Sequence, residues 1–138
     1  MKLQRIDPDV PMPTYAHEGD AGFDLFAREA VTMQPGEQVQ VKTGIALHIP
    51  DGYVGLVWDK SGLSHRHALK TLGGVVDAGY RGEVMVGLVN LGDEPYTVEK
   101  HHKVAQMLIQ KVERAEFDVV ASLDESARGH GSFGSTGK

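Results

Sequence analysis

Cysteine is missing from these 138 residues, which removes disulfide frameworks, thiolate metal sites, iron–sulfur clusters and thiol nucleophiles at once. A basic excess is missing too. Fourteen Lys and Arg stand against nineteen Asp and Glu, a net charge of −5, so a generic duplex-binding surface is excluded and any phosphate must be met by a local cluster. No nucleic-acid partner is expected. No apolar run approaches the about 20 residues of a membrane span, and Met1-Lys2-Leu3-Gln4-Arg5 lacks the apolar core of a signal peptide. The expectation is a cytoplasmic protein with no membrane contact. No long window sustains a helical period, so helix is scarce.

What the chain does hold is short apolar blocks, alternating or continuous, bounded by Gly, Pro and Asp. Gly44 to Pro50 and Tyr53 to Trp58 flank the turn dipeptide Asp51-Gly52 and read as a hairpin. Glu83 to Leu91, Tyr96 to Val98, Val104 to Val112 and Phe117 to Val120 supply further strands, with Gly36 and Gly92 at turns. One short helix is expected over Gly62 to Leu69, capped by Ser61. Many short strands with glycine turns predict an all-β domain of jelly-roll or sandwich type. The length fits one domain, able to hide roughly two thirds of its unfolded surface without a staple.

Past Leu123 the composition changes. Arg128-Gly129-His130-Gly131-Ser132-Phe133-Gly134-Ser135-Thr136-Gly137-Lys138 has little to bury except Phe133. It reads either as a frayed terminus or as a base-stacking ring among phosphate-binding groups. Gly129 to Gly134 fits GxGxxG, but no helix follows it, and Ser135 stands where a P-loop lysine belongs, so neither nucleotide motif applies.

Four other segments set polar groups among apolar strands. Asp24 lies within Ala21-Gly22-Phe23-Asp24-Leu25-Phe26-Ala27, as a turn cap or as a carboxylate that orients a hydrated metal. Asp59-Lys60-Ser61-Gly62 joins a strand end to a helix start, as an ordinary cap or as an anion site. Gly73 to Glu83 encloses Asp77 and Tyr80 in a glycine-bounded hairpin, either as a turn that Asp77 caps or as a concavity that both residues face, where backbone groups can read a base edge. Gln106, within Lys103 to Ile109, needs partners from backbone or ligand. His65, His67, His101 and His102 show no metal-ligand spacing. A triad assembled from Ser61, His67 and Asp77 lacks a nucleophile elbow.

Taken in order, these five segments resemble the five motifs of the trimeric dUTP diphosphatase (dUTPase) family. The resemblance runs from Ala21 to Gly137 and is most specific at Gly74-Val75-Val76-Asp77 to Tyr80-Arg81-Gly82 and at the tail. It implies a jelly-roll domain over residues 1–127 whose tail, 128–138, forms a lid over a neighbour's site in a homotrimer. It also implies hydrolysis of dUTP to dUMP and pyrophosphate, with Asp77 as the base that activates water. Tyr80 would pack beneath the deoxyribose. Gly74, Val75, Val76 and Met85 would belong to the hairpin that holds uracil, with Thr71 nearby. Lys60, Ser61, Gly62 and Gln106 would bind phosphate. Arg128, Gly134, Ser135 and Thr136 would clamp the γ-phosphate beneath the stacking ring of Phe133. Asp24 would position waters around a Mg²⁺ carried by the triphosphate.

The sequence departs from the family pattern at Trp58-Asp59, at Lys60 where Arg is frequent, at Thr71, at His102-Lys103 and at Ser132. Two rivals stand beside this reading. A dCTP deaminase shares the fold but needs a glutamate where Gly87 stands. A non-catalytic jelly-roll nucleotide binder would have little reason to keep Asp77, Tyr80 and the tail together.

Overall fold

The computed structural model describes residues 1–130. Ten strands and one helix follow in order: β1 (Lys2–Arg5), β2 (Gly22–Phe26), β3 (Val31–Met33), β4 (Gln38–His48), β5 (Tyr53–Trp58), α1 (Ser61–His67), β6 (Leu69–Leu72), β7 (Val75–Val76), β8 (Glu83–Asn90), β9 (Tyr96–Val98) and β10 (Lys103–Lys111). They build two four-stranded sheets, ordered β1-β4-β8-β6 and β2-β10-β5-β7, with a small β3-β9 pair beside them. All the pairings are antiparallel. The all-β expectation holds.

Period-two alternation explains the sandwich. On β8, Val84, Val86 and Leu88 are buried while Met85 and Gly87 are half-buried; on β10, Met107 is buried and Gln106 half-buried. The inward set from one sheet meets Leu25, Val57 and Met107 from the other in a single core. Each such fully buried side chain contributes about 1.5–3 kcal/mol relative to exposure. The sheets therefore fix two outer faces, and the polar residues of interest lie on or beside them.

Four local expectations are corrected. The segments on either side of Asp51-Gly52 do not pair with each other: β4 pairs with β1 and β8, and β5 with β10 and β7. The turn exists, with the Tyr53 amide bonded to the Pro50 carbonyl at 3.2 Å, but it carries the chain from one sheet to the other. Gly73 to Glu83 likewise is no hairpin ladder, since β7 joins β5 and β8 joins β4 and β6. Phe117 to Val120 forms no strand, and Phe117 and Val119 are 93% and 95% exposed. The helix ends at His67 rather than Leu69, and its capping position is Lys60, not Ser61. Lys60 makes no side-chain cap; its carbonyl accepts the Leu63 and Ser64 amides at 2.9 Å each.

Candidate active site

Asp77 and Tyr80 sit at the crossing between the sheets. Val75 and Val76 give β7 two residues of pairing, against Leu56 and Gly55 of β5. Gly74, at φ +113°, makes the approach possible: its carbonyl accepts the Val57 amide at 2.7 Å, and a Cβ there would stand 2.7 Å from the Val57 carbonyl oxygen. The chain then turns, with the Tyr80 amide donating to the Asp77 carbonyl at 3.0 Å. Arg81 braces the turn from outside by donating to the Ala78 and Tyr80 carbonyls at 2.5 and 2.8 Å.

The product is a concavity of about 200 Å³ lined by Val75, Val76, Asp77, Tyr80, Val84 and Met85. The sequence expectation that Asp77 and Tyr80 face one cleft is met. The Tyr80 hydroxyl donates to the Glu83 carbonyl at 2.9 Å, which holds the ring as one wall. Asp77 is exposed and Val76 half-buried, so carboxylate and strand backbone remain reachable from solvent. Thr71 does not line this concavity. Its amide and hydroxyl both donate to the Asp59 carboxylate, at 2.7 Å each.

A second polar cluster lies on the sheet β2-β10-β5. Gln106 pairs across the ladder with Asp24 on one side and Trp58 on the other, which sets these three residues in one row. Asp24 is 3% exposed. Lys60, reaching from the start of the helix, places Nζ 2.5 Å from Asp24 Oδ1; Lys103 places Nζ 2.6 Å from Oδ2 as an ion pair outside hydrogen-bond alignment. Burial pushes the Asp24 pKa up, and the Lys103 and Lys60 ammonium groups outweigh it, leaving the carboxyl below its ordinary value. Gln106 Nε2 donates to the Asp59 carbonyl at 2.9 Å.

Lys60, Asp24 and Gln106 thus lie in one neighbourhood, with Ser61 and Gly62 following Lys60 in the chain. Lys103 and Asp59 are participants that sequence reasoning placed within these segments but gave no role. Their signal was a charged residue at each edge of an expected site, and nothing local said what either would touch. Arg128 lies in an exposed turn at 127–130, while Phe133, Gly134, Ser135 and Thr136 fall outside the described residues.

The cluster does not form a resident metal cage. Among the described residues no three His, Asp or Glu side chains converge, and both Asp24 oxygens face ammonium groups.

A model of the dUTPase family matches residues 8–137. The chain belongs to the dUTPase family. A deoxyuridine 5′-triphosphate nucleotidohydrolase of Thermobifida fusca is 49% identical over 140 residues, covering 99% of this chain and 78% of that one. Among solved structures, a mutant dUTPase of Staphylococcus bacteriophage 80alpha with dUpNHpp superposes with a TM-score of 0.92 at 30% identity, covering 99% of this chain and 98% of that one. A mutant dUTPase from phage phi11 of S. aureus, described with the coordination of a structural Mg(II) ion, superposes with a TM-score of 0.83 at 27% identity, covering 90% and 98%. The dUTPase jelly roll is therefore the fold of this chain. Among its described residues no helix is long and apolar enough to cross a membrane.

Proposed function

We propose that this chain is a dUTP diphosphatase that hydrolyses dUTP to dUMP and pyrophosphate, lowering dUTP and supplying dUMP for thymidylate synthesis in the cytoplasm. The observation that carries the reading is the pairing of Asp77 with Tyr80 in one solvent-open concavity, in a chain of the dUTPase family.

Phosphoryl transfer asks a protein chiefly for positioning and charge stabilisation. Asp77 accepts a proton from water as the water attacks the α-phosphorus, and pyrophosphate departs in line. No covalent nucleophile is needed. Backbone groups at Gly74, Val75, Val76 and Met85 hold uracil, and the tight loop excludes a 5-methyl group. Tyr80 packs beneath the deoxyribose, where crowding of a 2′-hydroxyl costs about 1–3 kcal/mol and disfavours UTP. Thr71 supports the uracil side from strand β6.

Lys60, Ser61, Gly62 and Gln106 bind the α- and β-phosphates. Arg128, Gly134, Ser135 and Thr136 bind the γ-phosphate, and Phe133 stacks on uracil as the lid, residues 128–138, excludes water. Where Mg²⁺ accompanies the triphosphate it would supply charge neutralisation, and Asp24 would hold it through its waters. The functional unit is a homotrimer with sites shared between protomers. The solvent-open side of the Asp77 concavity and the exposed Phe117, Val119 and Leu123, which find no strand in their own protomer, support that assembly.

The deaminase alternative is disfavoured at Gly87. It carries no side chain to shuttle a proton, and a Cβ there would already stand 3.0 Å from the Leu72 carbonyl oxygen. Pyrophosphate release from dUTP with Mg²⁺, compared with dCTP, dTTP and UTP, tests the proposal. Selective turnover of dUTP is the expected result; ammonia release from dCTP, or no turnover, defeats it.

A further inference from the structure

Strand β10 breaks its own alternation at one residue. Lys103 pairs with Phe26 of β2 and Ala105 with Leu25, so Val104 has no partner in that ladder and forms a bulge. Val104 and Ala105 are consequently both buried. In an unbroken strand residue 103 would share the core face of Ala105 and Met107, because successive side chains point to opposite faces. The bulge moves it to the other face, the one that carries Asp24 and Gln106. There the half-exposed Lys103 places Nζ 2.6 Å from Asp24 Oδ2, while Lys60 places Nζ 2.5 Å from Oδ1.

Two ammonium groups therefore share one carboxylate that is only 3% exposed. The cluster keeps one surplus positive charge, on a chain whose net charge is −5. Without Lys103 that surplus vanishes, and Lys60 is left to balance a buried carboxylate. A lysine so held is costly to withdraw, since its departure strands an uncompensated charge out of water.

We propose that Lys103 is a positioning residue that stands as the permanent counter-ion of Asp24 and so frees Lys60 to leave the carboxylate for phosphate. This role rests on the reading of Lys60 as a phosphate-binding residue, and it names what makes that lysine available. Lys103 acts through Asp24 and Lys60 and does not itself contact phosphate. All three side chains belong to one chain and meet beside one face of one sheet, so the effect is independent of which protomers complete the site.

The test titrates the full-length protein with inorganic triphosphate in metal-free buffer, by calorimetry. Neither the base nor Mg²⁺ enters that measurement. Lys103→Met is expected to bind at least about tenfold more weakly than the parent, the scale of one hydrogen bond to a charged group, and Lys103→Arg to restore the affinity. Asp24→Asn, which adds a second surplus charge, should bind more tightly than the parent. The deciding variant combines Asp24→Asn with Lys103→Met: one surplus charge returns and no carboxylate remains to hold Lys60, so most of the parent affinity should return with it. With Mg·dUTP as substrate, KM in Lys103→Met should rise at least about tenfold, and the double variant separates this from a general loss of structure. Parent affinity for triphosphate in Lys103→Met overturns the inference. So does a double variant as weak as Lys103→Met, which would make Lys103 a direct phosphate ligand, and so does a parent that binds no triphosphate. A parent that binds triphosphate with the expected order of variants but releases no pyrophosphate from dUTP defeats the functional reading and leaves the role of Lys103 standing.

Discussion

The Tyr80 ring lies directly over Gly82. A Cβ at position 82 would come within 2.7 Å of Tyr80 Cζ and closer still to the hydroxyl, while that same hydroxyl is held by the Glu83 carbonyl at 2.9 Å. The ring can serve as a wall of the Asp77 concavity only because residue 82 has no side chain. Its placement is thus set from beneath, within its own turn.

Gly82→Ala should push the ring out of this position. The expected cost in stability is about 1–3 kcal/mol, as for other overpacked sites, and selectivity for dUTP over UTP should fall with it. Urea denaturation and the ratio of kcat/KM for the two nucleotides measure the two effects. An unchanged ratio would mean that the ring does not police the sugar.

Asp24 makes stability depend on acid. Burial raises its pKa, but Lys103 and Lys60 together hold it below the ordinary carboxylate value. A folded-state pKa below the unfolded one means that the unfolded chain binds the proton more readily. The stabilisation is therefore full above the unfolded pKa of about 3.9 and lost as pH falls through the folded value. Asp59, lowered in the same direction against its own burial by Lys70 and Thr71, adds to the trend. Urea midpoints should fall steeply on the acid side of about pH 4, and Asp24→Asn should be less stable than the parent at neutral pH with a shallower acid dependence. A parent-like acid limb in Asp24→Asn would contradict this assignment.

Much of this architecture was legible in the chain because strand alternation is a local property. Tyr53 to Trp58 and Tyr96 to Val98 appear with the bounds their patterns predict. Partnership is not local. Asp51-Gly52 marks a turn correctly, yet nothing in those residues says that it connects two different sheets, because a turn dipeptide fixes the reversal and not the neighbours. Phe117 to Val120 has strand composition but pairs with no strand among the described residues.

The candidate site divides along the same line. Asp77 and Tyr80 are three residues apart in one turn, so the sequence could place them together. The two lysines on Asp24 come from the start of the helix and from β10, and their convergence is a tertiary fact. The Thr71 hydroxyl bond to Asp59 is likewise a tertiary contact that its sequence position does not announce.

Removal of residues 128–138 should leave the β domain folded, since the core residues among the described ones all precede it. Turnover of dUTP should nevertheless drop at least about 100-fold, because water exclusion and γ-phosphate contacts leave together. Thermal melting and pyrophosphate release on the truncated protein check both halves. A truncated enzyme with the parent rate would remove the tail from the site.

The account depends above all on Asp77 as the base. A positioned base contributes about 10²–10⁴-fold, and Asp77→Asn preserves shape while removing that capacity. The most direct measurement is pyrophosphate release from Mg·dUTP by this variant, alongside its affinity for a non-hydrolysable dUTP analogue. The account predicts a rate at least about 100-fold below the parent, with affinity nearly unchanged. A variant that turns over dUTP at close to the parent rate would contradict it.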